Sequence, residues 1–297
     1  MNSSAIRAAS AFCSLPRCGS GPLVCGTLGE RVGWHYGFAA AGVGMLIALT
    51  TYLVATPHLP PDPLFADAKS PDVHRPMNRQ EWHAVIALLL LFLPTSLFWA
   101  CYEQQGNTIA LWAADRTDRT INLIFWSAEI PITWFQAFNP FMIFTFTPLV
   151  VALWARQAQR GTEPSPVVKM ALGCAGCGIS YLILAAAAVF AGSGEASWLW
   201  LFAYFVVITT GELYLSPIGL SLVSKVAPVR HVAMMMGMWL GTSFIGNLLA
   251  GYLGSFWSSM EKPSFFLMIA AIALAAGAMI WAFERPLRPA LRGDYRI

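Results

Sequence analysis

The sequence predicts an all-α, polytopic membrane helix bundle with about seven transmembrane helices. Composition is the first observation: 57% of the 297 residues are hydrophobic and only 11% are charged, whereas a water-soluble domain carries about 25% charge. The second is the recurrence of continuous apolar runs of about 20 residues, the length that crosses a hydrocarbon core of about 30 Å. The runs do not alternate polar with apolar, and a barrel strand needs only about ten residues, so helices rather than a β-barrel follow.

Seven runs carry the prediction, at residues 37–54, 84–114, 133–155, 167–191, 198–222, 232–255 and 265–283. Glycine and proline inside them (Pro94, Pro140, Pro148, Pro217, Gly246) would trouble a soluble helix but are common in transmembrane ones. Gly237 and Gly241 form a small-xxx-small pair that admits a close neighbour, read as a generic packing face.

Lys and Arg are distributed asymmetrically between alternate connections, which sets the expected orientation. With the C-terminal tail placed in the cytoplasm, the inner segments hold twelve of them, ending in Arg285, Arg288, Arg292 and Arg296, and the outer ones hold three, Arg116, Arg119 and Lys262. Seven spans then leave the N-terminus outside, where Arg7, Arg17 and Arg31 sit awkwardly. Residues 1–20 are rich in Ser, Ala and Arg and hold no acid. They are read as a non-native or disordered leader at a truncation or frameshift, with a targeting peptide as the other reading.

Six cysteines give no disulfide framework, because the chain is neither short nor secreted. Cys174 and Cys177 form a C-x-x-C in a Gly/Ala-rich apolar run with no second pair and no histidine, so they read as small packing residues. H-E-x-x-H, Walker and G-x-S-x-G motifs are all missing from the chain, which argues against an enzyme and leaves an ion gradient or another subunit as the energy source. No cofactor, metal or nucleic acid is expected; the lipid bilayer is.

Polar side chains are spaced for single helix faces. Trp99 and Glu103 are four apart, Gln136 and Asn139 three apart with Pro140 following, Glu212, Ser216 and Gly219 share a stripe, and Trp239, Ser243 and Asn247 step by four. Glu212 stands out, since a carboxylate at bilayer depth costs a few kcal/mol on the gentlest insertion scales, at about 2.5–3.5 kcal/mol. It has no intramembrane Lys or Arg partner in the sequence. The four faces are expected to converge on one water-accessible cavity, where the competing reading makes Asn, Gln and Ser interhelical hydrogen-bonding groups worth about 0.6 kcal/mol each. Glu129, at the outer start of the third span, reads as an interfacial charge.

Four stretches bring these residues to a family: FWACYEQQGNTIALWAAD from Phe98, QAFNP from Gln136, GELYLSPIGLSLVSKVAP from Gly211, and MMMGMWLGTSFIGNLLAGYLG from Met234. They resemble the bacterial proton-dependent oligopeptide transporters of the major facilitator superfamily, from about Gly21 to Phe283. The resemblance implies the C-terminal six-helix bundle of that fold, at 84–284, preceded by one more helix. Residues 21–54 would be the end of a connection plus helix six, 55–83 a cytoplasmic linker, and 285–297 a cytoplasmic tail.

What the resemblance implies for function is carried by matching residues. Glu212 resembles the acid that holds a peptide's amino terminus and exchanges with a lysine of the other bundle, and Asn139 a side chain that also receives that terminus. Trp99 and Trp239 resemble pocket walls, Ser216 a pocket residue beside the acid, and Glu103 an acidic gate residue. Physical chemistry agrees: an ammonium group wants a desolvated carboxylate plus a carbonyl acceptor, while indoles tolerate varied side chains. A carboxylate that loses its cationic partner at this depth takes up a proton, which supplies a coupling switch.

The resemblance also implies absences. The first-helix acid and arginine motif, the groups that grip a peptide's carboxyl end, and the fourth-helix lysine belong to an N-terminal six-helix bundle that is missing here. Three readings follow: part of an inner-membrane transporter importing di- or tripeptides with protons, or a related carrier of nitrate or another small organic solute; a nonfunctional truncated fragment; and an intramembrane enzyme, for which no nucleophile-plus-base or metal constellation is found.

Overall fold

The computed structural model describes residues 22–56, 77–123, 126–228 and 231–291. They fall in two units that divide between Pro76 and Met77, and among the described residues seven helices are long and apolar enough to span a membrane, coinciding with the seven runs read from the sequence. The expected leader at 1–20 and most of the expected linker lie outside the described residues.

In the first unit a π-helical turn, Pro22–Gly26, leads into α1 (Thr27–Arg31) and α2 (Trp34–Ala55). The start of α2 packs on the π-helical turn and on α1 at Gly37, where a Cβ would lie 2.6 Å from the Cys25 carbonyl and 3.3 Å from the Gly29 nitrogen. Beyond that contact α2 is apolar and exposed, as at Phe38 and Met45, a surface suited to lipid.

The second unit opens with α3 (Arg79–Tyr102). Its start is fixed by a capping box, in which the Asn78 side chain accepts from the Glu81 N–H and the Glu81 side chain accepts from the Asn78 N–H at 2.8 Å, so orphan backbone donors are satisfied on entry. A 3-10 turn, Glu103–Gly106, joins α3 to the short α4 (Thr108–Asp115). Then come α5 (Ile132–Gln159), α6 (Pro166–Ala191), α7 (Trp198–Val226), α8 (Val232–Gly254) and α9 (Lys262–Leu291). α5 runs through Pro140 and Pro148 without interruption, and α9 runs past residue 284, through Pro286 and Pro289, into the expected tail. In space the neighbours follow the order α5, α7, α6, α9, α3, α8, and α8 also touches α7.

The core lies where α3, α6, α7 and α9 meet. Phe98, Tyr181, Tyr204, Phe205, Phe265 and Phe266 are all fully buried. Tyr181 donates to the Cys101 carbonyl at 2.7 Å and Tyr204 to the Tyr181 hydroxyl at 3.0 Å, so the phenols tie three helices while their rings fill space. Cys101, Cys174 and Cys177 are buried free thiols, which fits the packing reading. Gly237 and Gly241 do not fit theirs, because nothing among the described residues lies within 4 Å of a Cβ placed on either. The close approaches occur instead between α6 and α7, where a Cβ on Gly173 would come within 2.6 Å of the Gly211 carbonyl, and at Gly246 of α8, against Trp99.

Short strands that the sequence reading does not contain decorate one end. β1 (Thr117–Asp118) pairs in parallel with β4 (Ala196–Ser197), and β2 (Thr120–Leu123) pairs antiparallel with β3 (Trp126–Glu129). Exposed Glu129 pairs with Arg119 at 2.5 Å. At the opposite end Lys169 is buried, with its ammonium 2.5 Å from Glu163 and 4.3 Å above the Trp154 ring. Glu163→Gln is expected to lower the apparent thermal stability in detergent by about 1 kcal/mol, a modest value because Glu163 is partly solvated. Unchanged melting would show that solvent and the Trp154 ring alone satisfy the lysine.

Candidate functional site

Three elements bring polar side chains together in the middle of the apolar bundle. Glu212 lies on α7, which is pinned beside α6 by the adjacent Gly211. Asn139 lies on α5, and Tyr102 and Gln105 lie where α3 passes into the 3-10 turn. The Tyr102 hydroxyl donates to Glu212 Oε2 at 2.5 Å. Asn139 Nδ2 donates to the Tyr102 hydroxyl at 2.6 Å, to Glu212 Oε2 at 3.2 Å and to Gln105 Oε1 at 3.4 Å.

Asn139 and Gln105 are buried and Glu212 is half-buried. Gln136 donates to the Gln105 carbonyl at 2.8 Å, which stitches α5 to the turn as an interhelical bond should. The Glu212 carboxylate is thus held by neutral donors, and no Lys or Arg pairs with it among the described residues. Such a group is stabilised by hydrogen bonding but keeps an unbalanced charge, which is the electrostatic condition for attracting a proton or a cation.

The shared face of Trp99 and Glu103 is turned to α8. The Trp99 Cβ sits over Gly246, and Glu103 lies near Asn247, whose amide donates to the Ser243 carbonyl at 2.9 Å. The Trp99 ring meets Tyr102 edge-on at 5.3 Å. Ser216 is half-buried one turn beyond Glu212 on α7, and a further turn along the stripe Gly219 receives the Trp239 indole, which is buried and packs edge-on against Phe92 at 6.0 Å.

Phe92 precedes Trp99 by seven residues on α3, so Trp239 lies about 10 Å from Trp99 along the bundle. The structure thus brings Glu212 and Asn139 to the end of α3, while Trp239 forms a separate packed layer. Tyr102 and Gln105, at the centre of the cluster, are not among the site residues read from the sequence. The available signal is the spacing of Trp99 and Tyr102, three apart, which puts a phenol beside an indole on adjoining faces. An open groove on α2, lined by Thr50, Thr51, Val54 and Ala55, contains no ionisable group.

Comparison with known proteins decides the family. A family model described as "POT family" matches residues 65–274, more than half of the chain. The chain belongs to the POT family. It is 28% identical to a di-/tripeptide transporter of Lactococcus lactis subsp. cremoris, over 93% of this chain and 66% of the relative. It is also 28% identical to the peptide transporter YePEPT of Yersinia enterocolitica, over 78% of this chain and 57% of that protein.

Among solved structures, a peptide transporter POT in complex with sulfate superposes with a TM-score of 0.77 at 23% identity, covering 91% of this chain and 65% of its own. A POT family transporter in complex with 5-aminolevulinic acid gives 0.66 at 24%, covering 86% and 55%. These likenesses establish the fold, a multi-pass membrane bundle of the POT type. The chain spans two thirds or less of the length of these relatives.

Proposed function

We propose that this POT family chain is the C-terminal part of a secondary active transporter that imports di- or tripeptides by proton symport. The observation that carries the reading is Glu212: a carboxylate in the middle of a membrane span, held on one oxygen by Tyr102 and Asn139, half-open, and unmatched by a Lys or Arg among the described residues. An arrangement of that kind fits a group whose cation comes and goes. The di-/tripeptide transporter named among the relatives supports a peptide cargo, and 5-aminolevulinic acid in a related structure supports a primary amine.

In this reading Glu212 and Asn139 receive the amino terminus, Ser216 lies beside the acid, and Trp99 and Trp239 form walls at two depths. Glu103, near Asn247, acts as an acidic gate. For symport the proton is loaded from outside and released inside, so Glu212 takes it up in the empty outward-facing state, passes it to an acceptor of the partner bundle as the ammonium arrives, and each turnover moves one proton inward with the peptide. The Lys and Arg asymmetry supports a cytoplasmic C-terminus and an inner-membrane location.

Alternating access needs two bundles around one site, and the partner is an N-terminal six-helix bundle of the kind that the extra length of the relatives provides. α5 and α8, the least buried helices of the second unit, supply the surface for it. The reading is tested in vesicles with an inward proton gradient: this chain alone is expected to take up no alanyl-alanine, and the chain co-expressed with the N-terminal bundle of a relative is expected to accumulate it. Absence of gradient-driven uptake in both, with both polypeptides assembled in the membrane, would overturn it.

A further inference from the structure

The geometry points to a division of labour between the two oxygens of Glu212: Tyr102 fixes Oε2, and Oε1 is left as the acceptor for a primary ammonium group of the cargo. The second half rests on the peptide-carrier reading; the first half does not. Among the described residues every hydrogen bond to this carboxylate falls on Oε2, one from the Tyr102 hydroxyl at 2.5 Å and one from Asn139 Nδ2 at 3.2 Å. Oε1 has no partner there, and it is not among the buried unpartnered polar atoms, so it is not fully enclosed and keeps room for an acceptor role on a half-buried residue.

The phenol is well placed to act as a fixed support. A tyrosine hydroxyl has one hydrogen to give and lone pairs to receive. Tyr102 gives its hydrogen to Glu212 and receives one from Asn139 at 2.6 Å, which settles its direction. Its ring stacks on Phe98 at 5.7 Å and meets Trp99 edge-on at 5.3 Å. The hydroxyl is therefore positioned by packing along α3 and not by the carboxylate it holds.

A carboxylate anchored at one oxygen presents a single defined acceptor at the other. An ammonium group then binds without having to order a freely rotating side chain, and this preorganisation adds to affinity. Bonds between ionised groups and neutral donors are also the stronger class. Gln105 contributes to the same frame, because its buried Oε1 takes the third contact of Asn139 at 3.4 Å and keeps that amide pointed at the phenol. Tyr102 is on this account a positioning residue that touches the acid and not the cargo.

The test uses the full chain in lipid nanodiscs, and difference infrared spectroscopy reads the carboxyl band that Glu212→Gln abolishes. Tyr102→Phe keeps the ring and removes only the hydroxyl. It is expected to displace the Glu212 band and to raise the concentration of alanyl-alanine that half-saturates the band's response by about tenfold. N-acetyl-alanyl-alanine, which has no ammonium, is expected to give no response in either protein. A Glu212 band left in place by Tyr102→Phe overturns the proposal.

Should that variant fail to fold, 3-fluorotyrosine incorporated into the otherwise unaltered chain strengthens the phenol as a donor with every ring in place. It is expected to displace the band in the opposite direction, and no displacement overturns the proposal equally. A band that moves with Tyr102→Phe in a protein blind to alanyl-alanine supports the hold on Oε2 and overturns the cargo reading on which the role of Oε1 rests.

Discussion

Glu212→Gln, introduced at the matching position of a full-length relative, is expected to abolish gradient-driven uptake of dipeptide while leaving the protein folded. The substitution keeps the shape of the side chain and a carbonyl oxygen that Tyr102 and Asn139 can still bond, so the packing around α7 is preserved. What it removes is the charge. Losing one partner of a buried charge pair costs about 3 kcal/mol, roughly a hundredfold in affinity for an ammonium group, and a glutamine cannot take up and release a proton in the working range. Uptake driven by a proton gradient should fall to background, with counterflow weakened but measurable. Accumulation equal to the unaltered protein would remove Glu212 from the mechanism and return it to a structural role.

The number and type of the membrane helices, and the placement of Glu212 and Asn139, are readable from the sequence for a single reason. A polar atom inside an apolar run carries a cost that stands out against its neighbours. Tyr102 is not readable in that way, since tyrosine is unremarkable in a membrane span and its role appears only when α3 gives way to a tighter turn at Glu103 that leaves the phenol facing α7. The wrong glycines drew attention for a related reason. Spacing identifies small-xxx-small pairs but not which of them has a neighbour, so Gly237 and Gly241 meet open space while Gly173 and Gly211 carry the crossing. The strands between Thr117 and Glu129 are two to four residues long, too short for a periodicity to register.

The α6 and α7 crossing yields the second large effect, because it sets where Glu212 stands. A Cβ on Gly211 would lie 2.7 Å from the Gly173 carbonyl and 3.2 Å from the Cys177 nitrogen, and one on Gly173 would lie 2.6 Å from the Gly211 carbonyl. These neighbours are backbone atoms, which have no rotamer to change, so a side chain at either position forces the helices apart. Gly211→Val is therefore expected to destabilise the bundle by on the order of 3 kcal/mol, as overpacking in a dense interior does, seen as a lower melting temperature in detergent. The same displacement carries the adjoining Glu212 away from Tyr102 and Asn139, whose bonds at 2.5 and 3.2 Å tolerate little movement. At the matching position of a full-length relative, Gly211→Val should accordingly lose uptake together with stability, whereas Glu212→Gln should lose uptake at an unchanged melting temperature. If Gly211→Val melted like the unaltered protein, the helices could not be in backbone contact at this point, and the position of the carboxylate would have to be explained by some other constraint.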